Sequence, residues 1–181
     1  MAAIALTKEL YFTTTTVIDW LDIFTRPIYK HVVVESLAYC QEQKGLEIYS
    51  WVLMTNHLHM IVGTHETDTC LSDILRDFKK YTNKKILAAI ENNQQESRKD
   101  WILDRCRFAG NNDKKIKNYR FWKEGSHVEQ LNTYDFYKQK LDYIHMNPVR
   151  QEIVTRPEDY LYSSARNYAG MEGLLNVIVV Q

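Results

Sequence analysis

The sequence has no net charge, no paired-cysteine motif and no apolar run that could cross a bilayer, and each absence narrows its possible functions. Lys and Arg total 23, as do Asp and Glu, so any surface for a charged partner must be local. Three cysteines without Cys-x-x-Cys spacing predict neither a disulfide framework nor a zinc ribbon. Without a membrane span or the features of a signal peptide, we expect a cytoplasmic protein with no membrane partner.

The 181 residues predict a single domain, with a core over about 9–125 and a C-terminal helix and tail over 126–181. The predicted elements are a strand at 9–17, a helix at 27–44 closed by Gly45, strands at 47–54 and 57–63, a helix from Asp68 or Thr69, a loop at 110–113, a strand at 119–122 and a helix from Thr133 to Asn147. This order predicts an α+β, ferredoxin-like (split βαβ) fold. In that fold an antiparallel sheet carries helices on one face, here with a C-terminal helical extension.

The second strand of the predicted hairpin carries a His-x-His pair. Because side chains alternate along a strand, His57 and His59 share one face while Leu58 and Met60 point to the other. Two neighbouring imidazoles are suited to hold a metal ion, since neutral histidine is a common metal ligand. Chance is the alternative interpretation, because the chain has six histidines.

The long helix after residue 68 carries a local excess of positive charge that the zero net charge hides. The basic residues of its middle are Arg76, Lys79, Lys80, Lys84 and Lys85, and Lys115 and Lys117 precede the predicted strand at 119–122. Such a one-sided run is typical of a phosphate-binding surface and also of a solvated helix face. Both interpretations stay open, with the named residues as candidates for DNA binding.

Five segments in this order resemble the single-tyrosine HUH transposases, above all their REP-associated branch. They are TNHLHMIV at 55–62, FKKYT at 78–82, FW at 121–122, LDYIHMNPVR at 141–150 and PEDYLYSSA at 157–165. The resemblance implies a homodimeric, ferredoxin-like endonuclease that acts on single-stranded or hairpin DNA. It further implies that His57 and His59 hold Mg²⁺ or Mn²⁺, and that a tyrosine cleaves and rejoins one strand through a phosphotyrosine intermediate.

The chain departs from the family pattern where the nucleophilic tyrosine is expected. The family has Trp-x-x-Gly-Tyr there, whereas the matching run from Trp122 ends in Ser126. A serine hydroxyl is shorter than a phenol by a whole ring and cannot reach a phosphate from the same backbone position. The candidate nucleophiles are therefore Tyr134, Tyr137 and Tyr143. Tyr134 is placed at a helix start facing a cleft, and the other two are interpreted as core residues.

The third metal ligand is expected within one turn of Ser126. By position Gln130 is the first choice, and His127 and Glu129 are the alternatives. All three follow from the resemblance, which implies a polar ligand beside the nucleophile.

Two functions remain open at this point. The first is a metal-dependent DNA strand transferase whose tyrosine has moved. The second is a catalytically lost, domesticated DNA-binding protein of transposase descent. An RNA-recognition sheet is a weaker third interpretation, because its central strand should present aromatic rings where this one presents histidines.

Overall fold

The computed structural model describes residues 5–65, 70–111 and 119–180. In these residues the strands are β1 (Ala5–Thr16), β2 (Leu46–Leu53), β3 (His57–Thr64) and β4 (His127–Thr133). The α-helices are α1 (Pro27–Lys44), α2 (Leu71–Asn92), α3 (Lys99–Asn111), α4 (Tyr134–Arg150) and α5 (Ala165–Tyr168), and 3-10 helices span Ile18–Trp20 and Pro157–Asp159. The strands form one antiparallel sheet in the order β2-β3-β1-β4. The predicted ferredoxin-like fold is confirmed.

Local signals predicted the first half of the fold closely. Pro27 starts α1, where its missing N–H costs nothing and its fixed φ suits the first turn. Gly45 ends this helix with a φ of +68°, a conformation that glycine adopts without a Cβ clash. The β2–β3 hairpin closes through a hydrogen bond of 2.8 Å from the Met54 N–H to the His57 carbonyl. The hairpin therefore places the histidine pair at the start of a central strand.

The fourth strand lies elsewhere than predicted. The strand expected at 119–122 is wrong, because Phe121 and Trp122 are buried core residues and Trp122 makes only an isolated bridge with Val17. The actual strand β4 is a mostly exposed edge strand, so its sequence lacks the apolar alternation that identifies a strand. It also lies beyond residue 125, at which the predicted core ends.

Two helix boundaries also differ from the prediction. Helix α3 continues through Gly110 and Asn111, which were expected in a loop. Helix α4 is capped by the Thr133 hydroxyl as expected, but it includes Pro148 and ends at Arg150. The predicted caps Asp68 and Thr69 lie outside the described residues.

The pairing register decides which side chains share a face of the sheet. Thr14 pairs with His59 on one side and with His127 on the other, so these three residues and His57 form one surface, here called the histidine face. Leu58 and Met60 point to the opposite face, where α1 and α2 pack together and complete the core. Helix α4 contacts all four strands and lies across the histidine face. The C-terminal extension therefore covers part of the face that the sequence predicted to be open.

A buried polar network joins α4 and the C-terminal segment to β2. The Ser164 hydroxyl accepts a hydrogen bond of 2.9 Å from the Trp51 N–H and lies 2.9 Å from Nε2 of His145. The Tyr160 hydroxyl donates to the Leu53 carbonyl over 2.8 Å. Burial lowers the pKa of His145 to about 4, so the ring is neutral at physiological pH. His145 and Ser164, which belong to the last two family-like segments, thus anchor α4 and the C-terminal segment to β2.

Among the described residues, none of the helices combines the length and the apolar content that crossing a bilayer requires.

We expect Ser164→Ala to lower the free energy of unfolding by about 2 kcal/mol or more, because it leaves the buried Trp51 N–H without a partner and removes the shorter of the two serine contacts of the His145 ring. Urea denaturation of both proteins measures the difference. Ser97→Ala, at an exposed turn, is the matched control and should stay within about 0.5 kcal/mol of the wild type. Equal losses in the two variants would contradict an anchoring role for Ser164.

Candidate active site

The structure places the two histidines side by side. Their ring centroids lie 4.6 Å apart, and the exposed fractions of His57 and His59 are only 7% and 5%. Both imidazoles lie on the histidine face, because they occupy alternate positions of β3, as strand alternation predicted. The pair therefore brings two imidazoles close together at the edge of the core.

Neighbouring oxygens orient both rings. Asn56 Oδ1 lies 2.7 Å from Nδ1 of His57, and the Asn56 amide nitrogen donates to Asp22 Oδ1 over 2.9 Å. Because the amide nitrogen is used in this way, Oδ1 accepts the proton of His57 Nδ1, and the lone pair of Nε2 stays available. Thr14 Oγ1 lies 2.8 Å from Nδ1 of His59 and so fixes the orientation of that ring. Oxygen partners of this kind typically orient histidines that bind metals.

Both histidines are kept neutral. Burial lowers the pKa of His57, against a smaller opposing effect of Asp22. Burial also lowers the pKa of His59 to about 3, and the positive charges of nearby groups, Lys140 among them, add to the shift. A neutral imidazole is the form that binds a metal ion, so the pair is ready to act as ligands without losing protons.

Tyr143 is the candidate nucleophile that lies beside the pair. Its ring centroid is 5.2 Å from that of His59, and 39% of the residue is exposed. Tyr137 is fully buried, and its hydroxyl bonds to that of Tyr168 over 2.8 Å. Tyr134 stacks on Tyr137 with centroids 6.1 Å apart. The interpretation of Tyr137 as a core residue agrees with this burial, whereas Tyr143, also interpreted as core, is exposed at the histidine face.

The register separates the three candidates for a third ligand. His127 pairs with Thr14 and faces the histidine face, as does Glu129, two residues further along β4. Gln130 pairs with Tyr11 and points to the other side of the sheet, so the structure does not bring it to the histidines. Glu129 is held by Lys140 over 2.8 Å. Within the described part of the chain, no group of three or more His, Cys, Asp or Glu residues is arranged to hold a metal ion.

Ser126 does not take the place of the missing tyrosine. Its hydroxyl lies 3.3 Å from the ammonium of Lys79, which also donates to the Lys123 carbonyl over 3.3 Å. Since Lys79 belongs to α2, these bonds turn Ser126 toward the helices and away from the histidine face. Burial lowers the pKa of Lys79, consistent with an ammonium enclosed by this loop.

The predicted DNA-binding residues fall into three groups. Lys80, Lys84 and Lys85 are exposed on α2, along a groove between α1 and α2 that Tyr39 and Tyr81 also line. Two further residues are engaged within the protein: Lys79 by the loop before β4, and Arg76 by Asp73 at 2.5 Å and Asp77 at 3.3 Å. Lys115 and Lys117 lie outside the described residues. The groove lies on the opposite side of the sheet from the histidine face.

The middle of α2 also has a structural role that the sequence did not predict. The Trp122 indole donates to the Thr82 hydroxyl over 2.9 Å, and Asn83 Oδ1 accepts the Phe121 N–H over 2.7 Å. These two polar side chains hold the loop that leads to β4. Thr14 and Asn56 were likewise not predicted as partners of the histidines, although Asn56 directly precedes the pair.

Comparison with known proteins places this geometry in context. The sequence model of the family described as "Transposase IS200 like" matches residues 21–104, which include α1, the histidine hairpin and α2. The resemblance to the IS200-like transposases is confirmed. The search of the curated proteins finds no match.

Two solved structures are similar to this chain. A REP-associated tyrosine transposase bound to a REP hairpin aligns with a TM-score of 0.61 and 18% identity, over 100% of this chain and 92% of its own. A protein of Deinococcus radiodurans R1, provisionally described as a transposase, aligns with a TM-score of 0.48 and 12% identity, over 79% and 91% of the two chains. At such low identity the first likeness establishes the shared fold.

The buried histidines predict how stability depends on pH. Unfolded histidines take up protons below their ordinary pKa of 6.5, whereas His59 in the folded protein stays neutral down to about 3. The unfolded state therefore binds more protons in this range, and we expect the free energy of unfolding to fall as the pH drops below 6.5, by up to about 1.4 kcal/mol per pH unit for each such histidine.

Urea denaturation between pH 6.5 and about 5 tests this slope, above the range in which most carboxylates titrate. His59→Gln should reduce the slope of unfolding free energy against pH, because the variant lacks the histidine whose pKa is lowered most. His65→Gln removes an exposed histidine and should leave it unchanged. An unaltered slope in His59→Gln would show that this ring does not titrate as its burial implies.

Proposed function

We propose that the protein binds single-stranded or hairpin DNA and cleaves and rejoins one strand through a phosphotyrosine intermediate at Tyr143. The observation that carries this proposal is the 5.2 Å separation between the rings of Tyr143 and His59 on the histidine face. The family match and the fold shared with a hairpin-bound transposase support DNA as the substrate. A homodimer is part of the proposal, on the resemblance alone.

The residues of the pair fit a divalent cation. Both rings are neutral, both Nδ1 atoms have oxygen partners, and the rings adjoin, so His57 and His59 would hold Mg²⁺ or Mn²⁺. When bound there, the cation would polarise the scissile phosphate and neutralise its charge. His127 faces the same side and Gln130 the other, but neither completes a three-residue ligand group with the pair in the described part of the chain.

In the proposed step the phenol oxygen of Tyr143 attacks the phosphorus of one phosphodiester. An O–P bond forms to the tyrosine while the bond from phosphorus to the 3′ oxygen breaks. The phenol loses its proton and the departing 3′ oxygen gains one, leaving a free 3′ hydroxyl and a 5′ phosphate joined to Tyr143. Rejoining reverses the step, because the tyrosine ester retains the energy of the original bond.

Basic side chains would hold the DNA backbone around this site. The Arg150 guanidinium lies 5.6 Å from the Tyr143 ring centroid, where it can pair with a phosphate oxygen. Further away, Lys80, Lys84 and Lys85 form an exposed cationic strip on α2, with Tyr39 and Tyr81 beside it. We propose that this strip binds backbone phosphates that extend beyond the cleavage site.

A second function is favoured by a separate observation. Ser126 replaces the family's tyrosine and bonds to Lys79, and no third acidic, histidine or cysteine ligand accompanies the pair among the described residues. A DNA-binding protein of transposase descent that has lost cleavage would have these features. The two functions differ in whether Tyr143 forms a covalent bond with DNA.

The first experiment looks for that bond. Incubation with Mn²⁺ and hairpin DNA that has single-stranded flanks and a label at its 3′ end should give a labelled protein band on a denaturing gel. Tyr143→Phe should abolish the band, because it removes only the attacking oxygen. Tyr134→Phe is the matched control and should retain it, since Tyr134 stacks on Tyr137.

A band that persists in Tyr143→Phe would overturn the assignment of the nucleophile. If the wild type forms no band but still shifts the DNA on a native gel, the non-cleaving function is correct.

The second experiment tests the cation site without DNA. Mn²⁺ at about 100 times its dissociation constant should raise the melting temperature by about 5 °C or more, because it binds only the folded pair. His57→Asn and His59→Asn should each remove this shift, whereas His65→Asn, at an exposed position, should keep it. An equal shift in all four proteins would place the cation elsewhere.

A further inference from the structure

An exposed indole lies next to the buried histidine pair. The Trp20 ring centroid is 6.2 Å from that of His57, in an edge-to-face arrangement, and 58% of the residue is exposed. Burying a tryptophan is strongly favourable, so one left open beside a polar site is unlike a core residue. The exposed ring is available to a ligand that occupies the histidine pair.

The backbone is strained in order to present this ring. Asp19 and Trp20 have φ values of +50° and +56°, a left-handed conformation that is costly for residues with a Cβ and rare for a bulky one. The Arg105 guanidinium holds the Asp19 carboxylate, with Nε at 2.7 Å. Strain of this kind persists only where neighbouring contacts enforce it, and it is concentrated at functional sites.

One side chain couples the indole to the metal-binding pair. The amide nitrogen of Asn56 donates to the Trp20 carbonyl over 3.2 Å, while its Oδ1 holds Nδ1 of His57 at 2.7 Å. The Asn56 amide therefore sets the position of the tryptophan backbone and the orientation of the imidazole together. The Lys123 ammonium lies 6.0 Å from the Trp20 ring centroid and supplies a positive charge at the same place.

We propose that Trp20 is a stacking platform for an unpaired base next to the phosphate held at the histidine pair. An aromatic face with a neighbouring cation is the arrangement by which proteins bind single-stranded nucleic acid, because every base offers a π-face. A base in a continuous duplex cannot stack in this way. The inference rests on the proposed function and adds to it the side chain that would hold the unpaired base beside the histidine pair.

Fluorescence provides a direct test. The indoles of Trp51 and Trp122 are buried, and Trp101 is the other exposed one, at 52%. In a Trp101→Phe background, hairpin DNA with single-stranded flanks should therefore quench the emission of the remaining exposed indole. Adding Trp20→Phe should remove this quenching.

Binding measurements provide the second test. Trp20→Ala should weaken binding of the flanked hairpin by about 10-fold or more, whereas Trp20→Tyr should stay within about 2-fold of the wild type, since a tyrosine ring also stacks. Trp101→Ala removes an indole of similar exposure and is the matched control. A scan of single abasic positions along the flank should find one position at which Trp20→Ala causes no further loss. Melting curves check that each variant is folded.

The outcomes separate this inference from the function on which it rests. If the wild type binds the flanked hairpin but Trp20→Ala binds it equally well, the stacking role is wrong and the proposed function stands. Equal weakening in Trp20→Ala and Trp101→Ala would likewise overturn a specific platform. If the wild type binds no hairpin at all, both proposals fail.

Discussion

The alternation of side chains along β3 is the constraint on which the other features depend. One strand places Leu58 and Met60 in the core under the helices and His57 and His59 on the opposite face. A shift of one residue in its pairing would turn the imidazoles toward the helices of the core and turn the core residues onto the histidine face. The flanking strands contribute the polar partners at the same level, since Thr14 of β1 lies between His59 and His127. The pairing register of the strands therefore determines which side chains come together at this site.

Burial of the pair has two effects that act in opposite directions. It lowers the pKa of both imidazoles, which keeps them neutral and able to bind a cation. It also makes the folded protein sensitive to acid, because protonation of a buried ring opposes folding. The hydrogen bonds of the rings with Thr14 and Asn56 orient the imidazoles without adding charge. The two imidazoles are therefore already neutral and oriented without a ligand, and the accompanying cost is a lower stability at acidic pH.

The family-like segments have different physical roles in the folded chain. Those around His145 and Ser164 anchor α4 and the C-terminal segment to β2, and the segment around Thr82 holds the loop before β4. By fixing α4, the first network also sets the position of Tyr143 over the histidine face. Most of the family-like residues therefore have a structural role, which is to hold Tyr143 beside His57 and His59.

The sequence by itself determined the order of the elements, the exact ends of α1 and the shared face of the histidines, because helix caps, proline and strand alternation act locally. Only the tertiary structure decided that β4 begins at His127, that Gln130 faces away, and that Tyr143 adjoins His59 while Ser126 turns to Lys79. These contacts join residues far apart in the chain, and they depend on strand register and on where α4 crosses the sheet. No pattern of neighbouring residues encodes either of these.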